Sequence, residues 1–166
     1  MLDLIIKNGQ CYIDGELKDV DVSIKDGKIQ NIGKITEEAK DTVDAKGLTV
    51  LPGCIDTQTH FREPGSTDTE DLHSGSRAAI AGGITAVFEM PNTNPPTSNK
   101  KEFQRKLDLA KNRMYCNYAF YFGATADNAK DLANLKNLEG CWGIKLFAGS
   151  STKNLSVADE KDNQKV

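Results

Sequence analysis

The chain has 166 residues, of which 38% are hydrophobic and 27% charged, and its formal net charge is −3. This length is typical of one domain or slightly more, and the composition is too mixed for a disordered protein. The mild acidity argues against nucleic acid as a partner. The apolar runs are too short for a transmembrane helix, and Asp3 and Lys7 interrupt the early apolar stretch that a secretory signal needs. We therefore expect a cytoplasmic protein that binds neither nucleic acid nor membranes.

The cysteines also bear on the cellular compartment. There is no Cys-x-x-Cys pair among the four, which are Cys11, Cys54, Cys116 and Cys141. Spacings this wide do not favour a zinc site built from thiolates. Two disulfides are possible by number, but nothing in the sequence directs the chain to an oxidising compartment. We expect four reduced and mostly buried thiols.

The first 35 residues carry the pattern of a small β-sheet or half a sandwich. Short runs of β-forming residues are separated by three turn pairs, Asn8-Gly9, Asp14-Gly15 and Asp26-Gly27. Such pairs predict antiparallel hairpins. The polar residues 36–46 predict a connection. We place the first domain at residues 1–47.

From residue 48 onward the pattern alternates between strands and helices. Runs of β-forming residues predict strands at 48–55, 84–90, 115–122 and 142–147. Apolar residues at helical spacing predict helices at 71–81, 99–113 and 126–138. This alternation is typical of an α/β fold in which right-handed crossovers connect the strands of a parallel sheet. We place the second domain at residues 48–166.

The densest polar cluster follows the first of these strands. It contains Asp56, Gln58, His60 and Arg62, which are spaced two apart and can face the same side of an extended chain. Ligands bind at the carboxyl ends of parallel strands, so these side chains could hold a metal and an anion. The alternative is a polar loop with one structurally packed histidine, because zinc sites usually contain two or more His or Cys ligands.

Two further residues are candidates. Lys145 lies in an apolar strand, where a buried charge is costly unless it is paired or removed. It is either a site residue, a lysine that reaches solvent from the strand end, or an edge residue. Asn92 follows the second strand, where it either caps a turn or directs its amide at a ligand. In contrast, we expect His73 to be a surface or packing residue. The loop at 149–152 could present backbone N–H groups to an anion.

Three segments carry a resemblance to a known family. LPGCIDTQTHFREPG (51–65), GGITAVFEMPNTNPPT (82–97) and GIKLFAGSSTKNL (143–155) together resemble the dihydroorotase branch of the amidohydrolase superfamily. The resemblance implies a metal-dependent hydrolase with a TIM-barrel (β/α)8 fold, preceded by part of a small β-sandwich. A complete barrel takes about 250 residues, so about the first four β/α units are present. Hydantoinases and allantoinases share the architecture, and the segment Arg62-Glu63-Pro64-Gly65 favours dihydroorotase.

The resemblance also implies an activity and roles for particular residues. Dihydroorotases reversibly hydrolyse the ring amide of dihydroorotate to N-carbamoyl-aspartate in pyrimidine biosynthesis, using one or two Zn²⁺ ions and an aspartate that moves protons. His60 matches the second histidine of their Asp-x-His-x-His motif, and Lys145 matches a metal-bridging lysine that is often carboxylated. Arg62 and Asn92 match the residues that bind the substrate carboxylate.

The sequence departs from the family pattern in three respects. Gln58 stands where the family has its first metal-binding histidine, and an amide oxygen is a poorer zinc ligand than imidazole. Asp56 would then at most hold the metal ligands in position, without binding the metal itself. The later histidines and the catalytic aspartate have no counterparts here, and Lys153 replaces an expected glycine. We therefore expect this chain to be inactive by itself.

These departures leave several hypotheses open. The chain is the amino-terminal part of a dihydroorotase, or a non-catalytic dihydroorotase-like partner of a pyrimidine-pathway enzyme, which Gln58 favours. Two further hypotheses are a related hydantoinase or allantoinase, and a degenerate product without function. Four parallel strands cannot close a barrel, and open sheet edges favour association. We therefore expect a homo-oligomer or a partner chain.

Overall fold

A computed structural model of the protein describes residues 1–149 and 155–157. Most of the predicted anion loop, together with Lys153, lies outside the described residues. The chain divides into two compact units, Met1–Pro52 and Gly53–Val166. None of the helices in the described part combines the length and the apolar character that crossing a membrane requires.

The amino-terminal unit consists of short β-strands in two sheets. One sheet has the order β5-β4-β1-β6 and the other the order β3-β2-β7. A small core forms where Leu2, Ile5 and Ile35 pack together. The strands are β1 (Leu2–Lys7), β2 (Gln10–Ile13), β3 (Glu16–Asp19), β4 (Asp21–Lys25), β5 (Lys28–Gly33), β6 (Ala39–Asp44) and β7 (Thr49–Val50).

Two of the three predicted turn pairs form hairpins. Asp14-Gly15 joins β2 to β3 and Asp26-Gly27 joins β4 to β5, and all four residues have positive φ. Positive φ at both positions gives the turn a twist that matches that of the paired strands. The prediction is wrong for the pair at residues 8–9, which connects β1 of one sheet to β2 of the other.

Two other predictions about this part of the chain are wrong. The supposed connection at 36–46 contains β6, which pairs in parallel with β1. Five of the six side chains of β6 are exposed, so the strand has no apolar alternation to reveal it. The supposed strand at 48–55 is two strands, because β7 pairs with β2 while β8 (Cys54–Thr59) begins the next sheet. Pro52, which has no N–H group to donate to a ladder, lies between them.

The second unit confirms the alternation of strands and helices. Its parallel sheet has the order β11-β10-β9-β8, in which β8 and β11 are the edge strands. This is the arrangement of the first four strands of a TIM barrel, so the predicted fold class is confirmed. The elements after β8 are α1 (Leu72–Ala81), β9 (Ile84–Glu89), α2 (Lys100–Ala110), β10 (Asn117–Gly123), a 3-10 helix (Ala129–Leu135) and β11 (Cys141–Lys145).

Local sequence explains where the two α-helices begin. Asp71 caps α1 by accepting a hydrogen bond from Ser74 N, and Asn99 caps α2 by accepting one from Glu102 N. The helices pack on the sheet through one apolar core that includes Leu72, Val87, Phe103, Phe120 and Phe122.

The third helix differs from the prediction. An α-helix is expected at 126–138 from an apolar stripe of Leu132, Leu135 and Leu138, but the chain forms a 3-10 helix over Ala129–Leu135. The three leucines are spaced by three residues, which matches the period of a 3-10 helix better than the 3.6 residues of an α-helix. Leu132 and Leu135 are both buried on the sheet side.

All four cysteines are free thiols, and they differ in exposure. Cys11 and Cys116 are buried, Cys141 is half-buried and Cys54 is exposed at the start of β8. Burial raises the pKa of Cys11, Cys116 and Cys141, which keeps these thiols protonated and unreactive.

Candidate functional site

The carboxyl ends of β8 and β9 bring two of the candidate residues into contact. His60 follows β8 directly, and Asn92 lies in the loop after β9. Their side chains are hydrogen-bonded, with 2.8 Å between His60 Nδ1 and Asn92 Oδ1. Both residues are half-buried. Parallel strands end at the same edge of a sheet, which is why residues so far apart in sequence meet here.

With Asn92 Oδ1 facing the ring, this contact favours the His60 tautomer that carries its proton on Nδ1. An amide oxygen can only accept a hydrogen bond, so Nδ1 of a neutral His60 must be the donor. The lone pair of Nε2 then remains available to a metal or a proton donor. Asn92 Nδ2 donates to no residue in the described part, so it is also available to a ligand. The pair therefore presents one acceptor and one donor.

The other polar residues after β8 are not joined to this pair. Asp56 Oδ1 accepts a hydrogen bond from Gln58 N at 2.9 Å, which makes Asp56 a local support of the strand end. The side chains of Gln58 and Arg62 are exposed. Among the described residues, no hydrogen bond or ion pair links Asp56, Gln58 or Arg62 to His60 or Asn92.

Lys145 is half-buried at the end of β11, which is an edge strand. Its ammonium lies 5.1 Å from the centroid of the Phe147 ring, a cation–π contact. It forms no ion pair with a described residue. Lys145 thus lies on an edge strand, as one alternative expects, but its side chain is half-buried rather than exposed, and its role as a metal ligand stays a prediction. His73 is exposed and packs edge-on against Tyr115, as expected for a surface residue.

The sequence analysis missed a buried ion pair close to the site. The side chains of Lys106 on α2 and Glu89 at the end of β9 are both 0% exposed and form an ion pair. Burial raises the pKa of Glu89 to about 8, although the charges of Lys106 and Arg62 oppose this shift. Burial also lowers the pKa of Lys106, against the attraction of Glu89.

A sequence signal for this pair exists. Lys106 is spaced three residues from Phe103 and four from Ala110, so it shares their buried helix face. Glu89 ends a strand whose alternating residues point to the same core. A charged residue at each of two buried positions on adjacent elements is a signal for an ion pair. Thr59, which is opposite Glu89 in the sheet register, has a buried hydroxyl without a hydrogen-bond partner among the described residues.

Glu63 has a structural role that the sequence analysis also missed. Its carboxylate accepts hydrogen bonds from Arg113 Nη1 at 2.8 Å, Arg113 Nη2 at 3.1 Å and Leu72 N at 2.9 Å. A carboxylate at this position also interacts favourably with the amino-terminal end of the α1 dipole. Glu63 therefore joins the loop after β8 to the start of α1 and to the segment that follows α2.

The loops after β8 and β9 are also joined to each other. Asn94 N donates to Pro64 O at 2.9 Å. Gly65 has a φ of +124°, and a Cβ at this position would lie 2.8 Å from Asn94 Cβ. Only glycine allows this backbone conformation and this close approach. The segment Arg62-Glu63-Pro64-Gly65 thus has one exposed cation, with the other residues holding the loop in place.

The donor atoms of the described residues do not make a complete zinc site. Catalytic zinc is usually held by three protein ligands, but the described part contains no group of three His, Cys, Asp or Glu that could hold a metal. His60 supplies one imidazole. The ammonium of Lys145 has no lone pair and cannot be a ligand unless it is chemically modified. A metal would therefore need further ligands.

Comparison with known proteins assigns the chain to a family. A model of the Amidohydrolase family matches residues 49–161, which is more than half of the chain. The chain belongs to the amidohydrolase family. This assignment agrees with the partial barrel and with candidate residues at the carboxyl ends of its strands.

Curated relatives and solved structures place this amidohydrolase among enzymes that act on different substrates. An allantoinase of Escherichia coli O1:K1 is 41% identical over 149 residues, which are 89% of this chain and 33% of the relative. A dihydroorotase of Methanosarcina mazei is 36% identical over 168 residues, covering 96% of this chain and 35% of the relative. The structure of an L-hydantoinase from Arthrobacter aurescens matches with a TM-score of 0.88 at 29% identity, covering 99% of this chain and 37% of the hydantoinase chain.

These comparisons confirm the family and leave its branch open. The chain spans about a third of the length of the relatives it matches. Allantoinases and a dihydroorotase are similar to it at comparable identity. The amidohydrolase part of the predicted resemblance is confirmed, whereas the narrower identification as a dihydroorotase stays a prediction.

Proposed function

We propose that this chain forms the amino-terminal part of the barrel of a cyclic-amide hydrolase whose substrate carries a carboxylate, as dihydroorotate and N-carbamoyl-aspartate do. The contact between His60 and Asn92 is the observation that carries the proposal. It presents a free imidazole lone pair and a free amide donor at the strand ends, where barrel enzymes bind their substrates.

The substrate carboxylate would be bound by Arg62 and Asn92. The exposed guanidinium of Arg62 can form two parallel hydrogen bonds with a carboxylate, and Asn92 Nδ2 can add a third. Allantoin and unsubstituted hydantoin have a related ring without a carboxylate. The use of Arg62 would therefore distinguish the dihydroorotase branch from the other two.

The proposal includes zinc only with ligands beyond the described residues. His60 Nε2 would supply one ligand, and Lys145 would supply a second if its amine were carboxylated. Gln58 is a weak third candidate because its amide oxygen is neutral, and Asp56 is already engaged by the backbone of Gln58. We expect the chain by itself to lack turnover.

The substrate class can be tested by ligand binding to the chain. Binding of dihydroorotate, allantoin and hydantoin would be compared by ligand-observed NMR. We expect dihydroorotate to bind more tightly, and Arg62→Gln to weaken it about tenfold, since one charge-assisted hydrogen bond contributes about 1.5 kcal/mol or more. Arg77→Gln, which changes an exposed arginine on α1, is the control. Equal binding of allantoin, with no effect of Arg62→Gln, would contradict the carboxylate assignment.

A second candidate function is a non-catalytic partner of a pyrimidine-pathway enzyme, as Gln58 suggests. Zinc binding separates the two candidates. If the site has only lost one ligand, Gln58→His should convert weak zinc binding, measured by titration calorimetry, into binding at least tenfold tighter. Stoichiometric zinc with ring opening in the unmodified chain would contradict both our expectation of inactivity and the non-catalytic candidate.

A further inference from the structure

Lys106 extends from α2 to the end of β9 and makes three contacts there. Besides its ion pair with Glu89, its Nζ donates a hydrogen bond to Met90 O at 2.9 Å and lies 5.1 Å from the centroid of the Phe120 ring. The side chain is completely buried. A flexible lysine confined in this way has one defined position, so its ammonium can act as a fixed anchor for the backbone.

The anchored carbonyl lies two residues before Asn92. Met90 N donates to Thr59 O at 2.9 Å, so the same residue is also joined to β8. Pro91, which follows, has a restricted φ. The carbonyl of Pro91 accepts hydrogen bonds from Thr93 N at 2.9 Å and Thr97 N at 3.0 Å. Asn92 therefore lies within a turn that is held on both sides.

Stability alone does not explain a charged pair at this place. Replacing a buried ion pair by apolar side chains of similar volume is often neutral or stabilising, because desolvation of the charges offsets their attraction. An apolar pair would fill the same space, but it could not donate a hydrogen bond to Met90 O. The charged pair therefore supplies a hydrogen-bond donor to Met90 O that an apolar pair lacks.

We propose that Lys106 is a positioning residue for the candidate site. It holds the Met90 carbonyl, and through the Pro91 turn it keeps Asn92 where its Oδ1 accepts the Nδ1 proton of His60. The result is a His60 ring that carries its proton on Nδ1 and presents Nε2 to a ligand. Glu89 is a second acceptor for the same ammonium. The importance of this tautomer for activity rests on the proposed function, whereas the positioning itself does not.

The tautomer of His60 is the measurement that tests this proposal. Two-bond ¹H–¹⁵N spectra of the ¹⁵N-labelled chain distinguish Nδ1–H from Nε2–H rings when the histidines are neutral. We expect His60 to be in the Nδ1–H form. In the double variant Glu89→Leu/Lys106→Met, which keeps the volume but removes the donor to Met90 O, we expect a mixture dominated by Nε2–H. His73, exposed on α1, is an internal control whose signals should not change.

Two further variants separate positioning from general damage. Glu89→Gln keeps Lys106 as a donor to Met90 O, so His60 should stay in the Nδ1–H form. Gln104→Met, on the exposed side of α2, should also leave the spectrum unchanged. If the double variant fails to fold, Glu89→Gln/Lys106→Gln replaces it, because the shorter amide cannot span the distance to Met90 O.

The possible results decide the proposal. A folded double variant with His60 still in the Nδ1–H form would overturn it, as would an unmodified chain in the Nε2–H form. A change of tautomer in the double variant supports it. If the tautomer changes but dihydroorotate is not preferred by the unmodified chain, the substrate assignment fails while the positioning role stands.

Discussion

The loops that follow β8 and β9 and the segment around β11 all carry candidate site residues, but the chain holds them very differently. The two loops are joined to each other by the hydrogen bond from Asn94 N to Pro64 O. Glu63 also fixes the first loop to the start of α1, and Lys106 of α2 holds the end of β9, where the second loop begins. Around β11, Trp142 is 59% exposed and Ile144 is 45% exposed, and the ammonium of Lys145 forms a cation–π contact with Phe147 but no ion pair with a described residue.

The difference follows from the position of the strands and of their helices. The loops after β8 and β9 lie against α1 and α2, which supply a buried lysine and a helix amino terminus. The strand β11 lies at the edge of the sheet, where the next strand of a complete barrel would pair with it. Residues on the first side are therefore positioned by contacts with the two helices, whereas Trp142 and Ile144 on the second side remain largely exposed. The predictions below test this contrast.

The largest effect should come from breaking the buried ion pair on one side only. Lys106→Met leaves the buried Glu89 carboxyl group and Met90 O without their shared partner, which should lower the free energy of unfolding by about 3 kcal/mol. The double variant Glu89→Leu/Lys106→Met should recover most of this loss. Urea denaturation would measure both, with Gln104→Met as the control. If Lys106→Met is as stable as the double variant, the contact between Lys106 and Glu89 does not stabilise this part of the fold.

A smaller effect is expected for Glu63→Gln. The amide cannot accept both hydrogen bonds from Arg113 and the one from Leu72 N, so we expect a loss of about 2 kcal/mol in the free energy of unfolding. The control is Glu102→Gln, which breaks the pair of a half-buried carboxylate with the exposed Arg105 inside one helix and should change little. Equal effects of the two substitutions would contradict a bracing role for Glu63.

The buried pair should also make stability depend on pH. Because the pKa of Glu89 is raised from 4.5 to about 8, the folded state keeps a proton that the unfolded state releases in this range. Stability should therefore fall as pH rises through it, by at most about 1.4 kcal/mol per pH unit. The lowered pKa of Lys106 acts in the opposite direction as pH approaches the ordinary lysine value of 10.5.

Denaturation from about pH 5 to about pH 8 would show this as a difference between the unmodified chain and the double variant Glu89→Leu/Lys106→Met, which lacks both groups. We expect the unmodified chain to lose stability relative to the variant over this range. If the free energies of unfolding of the two proteins change with pH in the same way, Glu89 is ionised in the folded protein as readily as in the unfolded chain.

The smallest effect on stability is expected at the open edge. Trp142 stacks on Phe88 but remains largely exposed, so Trp142→Gln should cost less than about 1 kcal/mol. It should, however, reduce self-association of the chain, measured by sedimentation velocity, because it removes apolar surface next to an unpaired strand. Ile80→Gln, which changes an exposed apolar residue on α1, is the control. If the unmodified chain is already a monomer and Trp142→Gln does not change its sedimentation, the predicted association is contradicted.

Much of the fold could be predicted because its signals are local. Apolar runs located β9 and β10, apolar residues at helical spacing located α1 and α2, and Asp-Gly turns marked two hairpins. In contrast, β6 was missed because backbone pairing with β1 defines it, and the exposed side chains of β6 follow no apolar pattern. The 3-10 helix differs from the predicted α-helix because its leucines repeat every three residues, which matches the 3-10 period rather than the 3.6-residue period of an α-helix.

The candidate site shows the same division. Position along the chain was enough to select His60, Asn92, Arg62 and Lys145 as polar residues at strand ends. Their mutual contacts could not be predicted, because the contact between His60 and Asn92 depends on how two loops pack. The roles of Glu63 and Lys106 also depend on contacts between residues far apart in sequence. Helical spacing places Lys106 on a buried face, but it does not show which atoms the ammonium contacts.

The sequence by itself determined the alternation of strands and helices, the family resemblance, and which residue types stand at the strand ends, since all of these are properties of neighbouring residues. Only the tertiary structure decided that Asn92 Oδ1 faces Nδ1 of His60, that Glu63 and Lys106 hold the backbone of the two loops, and that Lys145 lies at an edge. The physical reason is that burial and hydrogen bonding across the sheet are set by residues far apart in the chain, and they determine where each charge and each proton lies.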